Sequence, residues 1–113
     1  MKKIILLSGL LICFLISNAV AQDSTIVIKS TAQCGECKEK IEQALNFEKG
    51  IKSSNVDVDT KEITVVYNAS RTSPEKIRIA ISKVGYDADS VPADTKAYKR
   101  LKPCCTKDGH KHD

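Results

Sequence analysis

The sequence lacks several features that mark common classes of protein. It has no tryptophan, and beyond Ala21 no apolar run approaches the roughly 20 residues of a membrane-spanning helix, so we expect no stable membrane insertion. Its 18 basic and 14 acidic residues are interspersed, whereas a nucleic-acid-binding protein would show clustered basic residues. We recognise no catalytic triad, no acid/base carboxylate pair and no phosphate-binding loop, so we do not expect an enzyme.

The first 21 residues follow the pattern of a secretory signal peptide. Met1-Lys2-Lys3 is basic, residues 4–16 are almost entirely apolar, and Ala19-Val20-Ala21 places small residues where a signal peptidase cleaves. We therefore expect residues 1–21 to be removed and the rest of the chain to be exported to a periplasm or to the cell exterior.

Hydrophobic periodicity after Gln22 predicts six elements. Alternating β-branched segments indicate strands, and apolar residues three and four positions apart indicate amphipathic helices. In chain order these are a strand at 24–30, a helix at 38–47, hairpin strands through 56–58 and 63–67, a helix from 73 to 84 and a strand at 86–91. This order predicts an α+β fold, a ferredoxin-like βαββαβ sandwich with a four-stranded antiparallel sheet and two helices on one face.

The periodicity fades after Pro92. We therefore expect one domain at residues 22–92 and a flexible tail at residues 93–113, with a short helical stretch around 97–101. Because Cys13 belongs to the predicted signal peptide, the mature chain would keep four of the five cysteines, in two local pairs.

The first pair lies in Cys34-Gly35-Glu36-Cys37, between the first predicted strand and the first predicted helix. The free N–H groups and the dipole of a helix N-terminus favour negative charge, which promotes the thiolate form of cysteine. Gly35 is expected to let this loop turn sharply and approach a ligand closely. Two exposed thiolates suit a soft ion of low coordination number such as Cu(I) or Hg(II), whereas Zn(II) needs further ligands.

Three alternatives to metal binding remain open for this pair. Cys-Gly-x-Cys between a strand and a helix is also typical of thioredoxin-like redox sites, although here no tryptophan precedes it, no proline fits the active-site cis position and the element order differs. The second alternative is a structural disulfide. A disulfide within either pair would close a very short loop and stabilise the fold little, whereas a long-range disulfide between the two pairs is possible. The third is an interaction module that docks by a sheet face or edge.

The segment from Ser24 to Val91 resembles the heavy-metal-associated domain, a family found in periplasmic mercury-binding proteins, copper chaperones and the N-termini of metal-pumping ATPases. The family motif reads glycine-methionine-any-cysteine-any-any-cysteine. Thr31-Ala32-Gln33-Cys34-Gly35-Glu36-Cys37 matches both cysteines but neither the glycine nor the methionine. The helix at 38–45, the hairpin and the segment 83–88 follow the family pattern as well.

This resemblance implies an exported metallochaperone or metal buffer that holds Cu(I), or else Hg(II) or Zn(II), at Cys34 and Cys37. It also implies transfer by thiolate exchange to a metal-transporting membrane protein or another metal-binding domain. We expect the chain itself to be a monomer. Tyr86 corresponds to an aromatic residue that follows a glycine near the family's metal loop, where it would shield the thiolates from water. Alternatively, Tyr86 is a core residue that begins the last strand.

The tail carries a second group of soft-metal ligands, Cys104, Cys105, His110 and His112. Thiolate and imidazole together can bind Zn(II), copper or Ni(II). The tail could hold its own ion, or it could fold back, because the residues between Pro92 and Pro103 can span up to ~35 Å and so reach Cys34. The third alternative is a polar chain end with no specific role.

Overall fold

The structure is a computed structural model, which describes residues 23–105. Three antiparallel strands form its sheet. Both β1 (Asp23–Lys29) and β2 (Ile51–Asp57) pair with β3 (Glu62–Asn68), which therefore lies in the centre. Residues on alternate positions of β3 share one face, and Ile63 and Val65 on that face are fully buried. The antiparallel pairing of β2 with β3 confirms the predicted hairpin.

Two helices contribute the other side of the core. The buried side chains of α1 (Gly35–Asn46) recur every fourth residue: Cys37, Ile41 and Leu45. The second helix, α2 (Pro74–Lys83), begins as predicted, with proline in its first turn and with the Ser73 hydroxyl accepting a hydrogen bond from the Lys76 N–H at 3.3 Å. Gly50 and Gly85, which the sequence places just after the two helices, both have positive φ.

The predicted fourth strand at 86–91 is not formed in the part of the chain that the structure describes, so the expected four-stranded sheet is corrected to three strands. Ala88 makes isolated bridges to Ser30 and to Val91. The N–H of each of Ala88 and Val91 donates to the carbonyl of the other at 2.9 Å. The chain therefore turns back on itself directly after the bridge between Ala88 and Ser30, the residue that follows β1. The element order otherwise agrees with the predicted α+β arrangement.

The side chain of Asp89 takes over the contacts that a fourth strand would have made. Its φ is 52°, in the left-handed region that aspartate tolerates better than β-branched residues do. The Lys29 N–H donates to Asp89 Oδ1 at 2.9 Å, and the Asp89 N–H donates to the Lys29 carbonyl at 2.8 Å. Arg78 Nε donates to Asp89 Oδ2, also at 2.9 Å. This segment is therefore held beside β1 by a carboxylate instead of a strand ladder.

We expect the Asp89 carboxylate to make stability depend on pH in acid. Burial raises the pKa of Asp89, but the hydrogen bonds from Arg78 and Lys29 outweigh it and hold the pKa below its usual value. Such a group stabilises the fold above its unfolded pKa of about 3.9, and the contribution is lost as the pH falls through the folded-state pKa.

D89N is therefore expected to lower the free energy of unfolding by about 0.5–1 kcal/mol near neutral pH, with the difference from wild type vanishing in strong acid. Urea unfolding from neutral pH to below about pH 3 measures this. D59N is the matched control, because Asp59 is exposed and its carboxylate makes no ion pair within residues 23–105. A difference between D89N and wild type that persists unchanged in acid would contradict the expectation.

The chain after Pro92 packs back on the domain. Asp94 caps α3 (Thr95–Lys99) by accepting a hydrogen bond from the Ala97 N–H at 3.0 Å. Leu101 and Cys105, which follow, are only 7% and 4% exposed. The segment expected to form a flexible tail is therefore packed against the core at least as far as Cys105.

No helix within residues 23–105 is long and apolar enough to cross a membrane. The predictions of a signal peptide at 1–21 and of metal ligands at His110 and His112 concern residues outside the described range.

Candidate metal centre

Cys34 and Cys37 lie at the N-terminus of α1, as the sequence predicts. Cys34 is the N-cap residue, in extended conformation, and its carbonyl accepts the Lys38 N–H at 3.1 Å. Cys37, in the first turn, is completely buried, whereas Cys34 is half-buried. Their Sγ atoms are 3.3 Å apart and the cysteines are free thiols. The pair therefore combines one accessible sulfur with one sulfur anchored in the core.

The expected role of Gly35 in turning this loop is wrong. Gly35 is the first residue of α1 and does not have the positive φ found at Gly50 and Gly85. A Cβ built on it would meet nothing within 4 Å. A side chain would therefore fit at this position, and glycine is not needed for the geometry of the pair.

The structure brings the cysteines of the tail to the same place. Cys34 Sγ lies 3.4 Å from Cys104 Sγ and 3.5 Å from Cys105 Sγ, and the two tail sulfurs are 3.7 Å apart. These three sulfurs all lie within 4.8 Å of one another. Of the alternatives left open for the tail, folding back onto the first cysteine pair is the one that the structure adopts.

A close approach at Gly85 holds the tail in this position. Gly85 has a φ of 104°, and a Cβ built on it would lie 3.1 Å from the backbone of Ala97 and 3.1 Å from Leu101 Cγ. The absence of a side chain at Gly85 thus lets α3 and Leu101 settle on the end of α2. Leu101 and Cys105 in turn belong to the same hydrophobic core as Cys37.

Neighbouring groups favour the thiolate of Cys34. Burial by itself raises the pKa of Cys34, but the backbone N–H of Cys37 and the thiols of Cys37, Cys104 and Cys105 outweigh it. The pKa of Cys34 is consequently lowered from 9.0 to about 7. Cys34 is thus a ready thiolate donor in the reduced protein.

The pKa values of the two tail thiols are raised, whereas that of Cys34 is lowered. Interaction with Cys34 and the nearby Glu36 carboxylate raise the pKa of Cys104, although Cys105 partly offsets this. Burial, followed by interaction with Cys37, raises the pKa of Cys105 well above its usual range. Sulfurs in contact cannot all carry negative charge without a compensating cation, so among Cys34, Cys104 and Cys105 the negative charge lies chiefly on Cys34.

The phenol of Tyr86 faces this cluster from the core. Tyr86 is fully buried, and within residues 23–105 its hydroxyl has no partner that satisfies hydrogen-bond geometry. Burial, and then the adjacent thiols of Cys37 and Cys105, raise the pKa of Tyr86 far above its usual value, so the phenol stays protonated and can only donate to a thiolate. Tyr86 is thus both a core residue and a neighbour of the sulfurs, which combines the two interpretations of the sequence.

Removing this hydroxyl is expected to leave the reduced, metal-free protein as stable as wild type or more stable by about 1 kcal/mol. The reason is that a buried hydroxyl without a well-formed hydrogen bond costs free energy, and Y86F removes it without changing the shape of the ring. Urea unfolding under reducing conditions, with Y67F as the matched control in β3, tests this. A loss of more than 1 kcal/mol in Y86F alone would mean that the hydroxyl is well bonded after all.

Two charged residues near the sulfurs were not identified from the sequence. The Cys104 thiol donates to Glu36 Oε2 at 3.5 Å, and Lys102 Nζ lies 3.7 Å from the same carboxylate oxygen. The sequence does carry one signal of the docking, because its apolar residues recur every fourth position: Ala97, Leu101 and Cys105.

The chain is similar in sequence and in fold to known metal-binding proteins. The model of the heavy-metal-associated domain matches residues 26–87. Copper chaperone CopZ of Staphylococcus aureus is 35% identical over 54 residues, which are 48% of this chain and 79% of that protein. Copper-transporting ATPase 1 of Rattus norvegicus is 35% identical over 82 residues, which are 73% of this chain but only 5% of the ATPase. The solved structure of a CopZ metallochaperone aligns with a TM-score of 0.56 and 30% identity, over 57% of this chain and 98% of that one.

Proposed function

Because the chain belongs to the heavy-metal-associated domain family, we propose that it binds a soft metal ion, Cu(I) first, through Cys34 and Cys37. It acts as a metallochaperone or metal buffer and not as an enzyme. The observation that carries this proposal is the position of both sulfurs, 3.3 Å apart at the N-terminus of α1. Soft thiolate donors select soft ions, and the helix N-terminus favours their negative charge.

The difference in burial between the two cysteines suits transfer of the ion. Cys37 is buried and stays in place, while half-buried Cys34 is open to an approaching partner. A thiolate of the partner forms a bond to the metal, after which one metal–sulfur bond of this chain breaks and its thiolate takes up a proton or stays ionised. The ion keeps its oxidation state throughout and is never released bare.

The choice of Cu(I) and of the partner follows the relatives. Both the CopZ chaperone and the ATPase to which the chain is similar are copper proteins by name. We accordingly propose a metal-transporting membrane protein or another metal-binding domain as the recipient. Hg(II) is the second ion, since it too accepts few sulfur ligands, and Zn(II) is the third.

Export to a periplasm or to the cell exterior is part of the proposal and is supported by the signal-peptide pattern of residues 1–21. An exported chain meets an oxidising environment, in which a disulfide between Cys34 and Cys37 would remove the ligands. The proposal therefore requires that these thiols be kept reduced or be loaded with metal before oxidation.

Retention of Cu(I) by the reduced protein tests the proposal. The protein, carrying C13S so that the four cysteines of the candidate centre are its only thiols, is reduced, loaded with Cu(I) anaerobically, desalted and titrated with a colorimetric Cu(I) chelator. We expect about one tightly held ion per chain, lost in the C34S/C37S double variant. S90A, which changes an exposed turn residue, is taken through the same procedure as the control for copper lost during reduction, loading and desalting. Wild-type protein that emerges without copper would refute the proposal.

A dithiol redox function is the second candidate, favoured by the lowered pKa of Cys34, about 7. A thiolate with a pKa near the ambient pH attacks disulfides efficiently. This candidate predicts catalytic reduction of a disulfide substrate such as insulin, with loss of turnover in C34S. Copper retention without such turnover would decide for metal binding.

A further inference from the structure

We propose that Cys104 and Cys105 are ligands of the same ion, so that the chain closes its own metal site with three or four sulfurs instead of the two of Cys34 and Cys37. This inference rests on the proposed function and adds a metal-ligating role for the tail. It assigns a thiophilic ion, Cu(I) or a similar soft cation, to one shared sulfur cluster and not to two separate sites.

Cys34 is the hub of the cluster. Its Sγ lies within 3.5 Å of the other three sulfurs: 3.3 Å from Cys37, 3.4 Å from Cys104 and 3.5 Å from Cys105. An ion bound to Cys34 on the side of the tail would therefore have the Cys104 and Cys105 sulfurs within reach. Two-coordinate binding would require these neighbouring thiols to stay protonated beside a soft cation that attracts them.

The sulfur spacings favour more than two ligands. With metal–sulfur bonds of about 2.3 Å, sulfurs lie about 3.8 Å apart around a tetrahedral ion, about 4.0 Å around a trigonal ion and about 4.6 Å around a linear one. The mutual contacts of Cys34, Cys104 and Cys105, 3.4–3.7 Å, need only a small expansion to reach the first two values. Cys37 contacts Cys34 at 3.3 Å but lies outside this group of three mutually close sulfurs, so it would have to move nearer to the tail sulfurs to become a fourth ligand. A linear site would have to separate Cys34 and Cys37 by more than about 1 Å beyond their present distance.

The hydroxyl of Tyr86 is an independent observation that points to a charged sulfur cluster. It is fully buried beside Cys37 and Cys105, and it lacks a hydrogen-bond acceptor of good geometry within the described residues. Metal-bound thiolates are strong acceptors, and outer hydrogen bonds of this kind orient and stabilise ligands. Binding of an ion that includes Cys105 would supply the acceptor that this buried donor lacks.

The tail brings its sulfurs to the site by its own packing. Leu101 lies in the core against Gly85, and Lys102 and Cys104 both contact the Glu36 carboxylate of the first cysteine loop. A ligand already held in place adds to affinity through its high effective concentration. The incoming thiolate of a partner would then displace the exposed Cys104 sulfur first, before half-buried Cys34 and the buried sulfurs of Cys37 and Cys105 exchange.

X-ray absorption spectroscopy of the protein loaded with one Cu(I) per chain tests this inference. In the C13S background we expect three or four sulfurs in the first shell. C104S changes only an exposed residue and so leaves the core intact, and we expect it to lose one sulfur. C104S/C105S is expected to have two sulfurs at a shorter distance and an affinity for Cu(I) lower by about 100-fold in chelator competition.

Two further variants separate ligation from packing. L101A keeps every thiol but loosens the docking of the tail, and it should lower the affinity for Cu(I) without removing a possible ligand. Y86F should weaken binding about ten-fold, through loss of the donor to the sulfurs. Both are checked for folding by circular dichroism.

The outcomes are distinct from those of the proposed function. Two sulfurs in wild type, with an unchanged affinity in C104S/C105S, would overturn the role of the tail while leaving metal binding at Cys34 and Cys37 intact. Failure of wild type to retain Cu(I) would instead overturn the proposed function itself. Loss of binding in C104S/C105S combined with full retention in C34S/C37S would place the ion on the tail alone, and would overturn the shared site as well.

Discussion

Replacement of Cys34 by serine is expected to lower the affinity of the reduced protein for Cu(I) by more than about 100-fold, the largest effect of any single cysteine change. Its sulfur contacts all three other sulfurs, and it is the most readily ionised of those whose pKa is shifted. Serine would leave a hard, protonated oxygen at the centre of the cluster. Anaerobic competition against a Cu(I) chelator measures the affinity.

C104S is the matched comparison, because it makes the same chemical change at an exposed position on the rim of the cluster. We expect it to weaken binding by about ten-fold or less, since Cys34, Cys37 and Cys105 remain. An affinity that falls further in C104S than in C34S would contradict the assignment of Cys34 as the hub. Urea unfolding of both variants establishes that the difference does not arise from loss of the fold.

The parts of the fold that were predicted correctly are those encoded by nearby residues. Ser73 and Pro74 specify the start of α2 through a hydroxyl that caps the helix and a ring that cannot donate an N–H. The alternation along Ile63 and Val65 specifies the buried face of β3. The position of Cys34 and Cys37 at the start of α1 was also predicted correctly. In each of these cases the residues that specify the feature lie within a few positions of it in the sequence.

The missing strand could not be predicted, because a long-range contact decides it. Residues 86–91 have strand-like composition, but Asp89 adopts a positive φ and binds Lys29 and Arg78, respectively 60 and 11 residues away in sequence. A carboxylate in place of a strand ladder leaves no periodic pattern in the sequence. Local propensity is overridden here by tertiary contacts.

Only part of the candidate site could be predicted from the sequence, again because long-range contacts decide the rest. The spacing of Cys34 and Cys37 identifies one pair of candidate ligands, whereas the approach of Cys104 and Cys105 depends on packing between segments about 70 residues apart in the sequence. The two cysteine pairs could be suspected to meet from linker length alone, but length permits contact without requiring it. What requires it is the fit of Leu101 against a glycine, which is visible only in three dimensions.

The second large prediction concerns Gly85, where the structure has no room for a side chain. G85A is expected to lower the free energy of unfolding by about 2–3 kcal/mol. An alanine at Gly85 would be strained at a φ of 104°, and its Cβ would press on the Ala97 backbone, which cannot move aside as a flexible side chain could. The same change should push α3 and the tail sulfurs away from Cys34, so that Cu(I) affinity falls along with stability.

G35A is the matched control, since Gly35 lies in the first turn of α1 with open space around it. Alanine there should change the free energy of unfolding by less than about 0.5 kcal/mol or raise it, because alanine favours a helix more than glycine does. Urea unfolding of both variants in the reduced, metal-free state gives the two values. A destabilisation as large in G35A as in G85A would contradict this account, because it would mean that the cysteine loop itself, and not the docking of the tail, requires glycine.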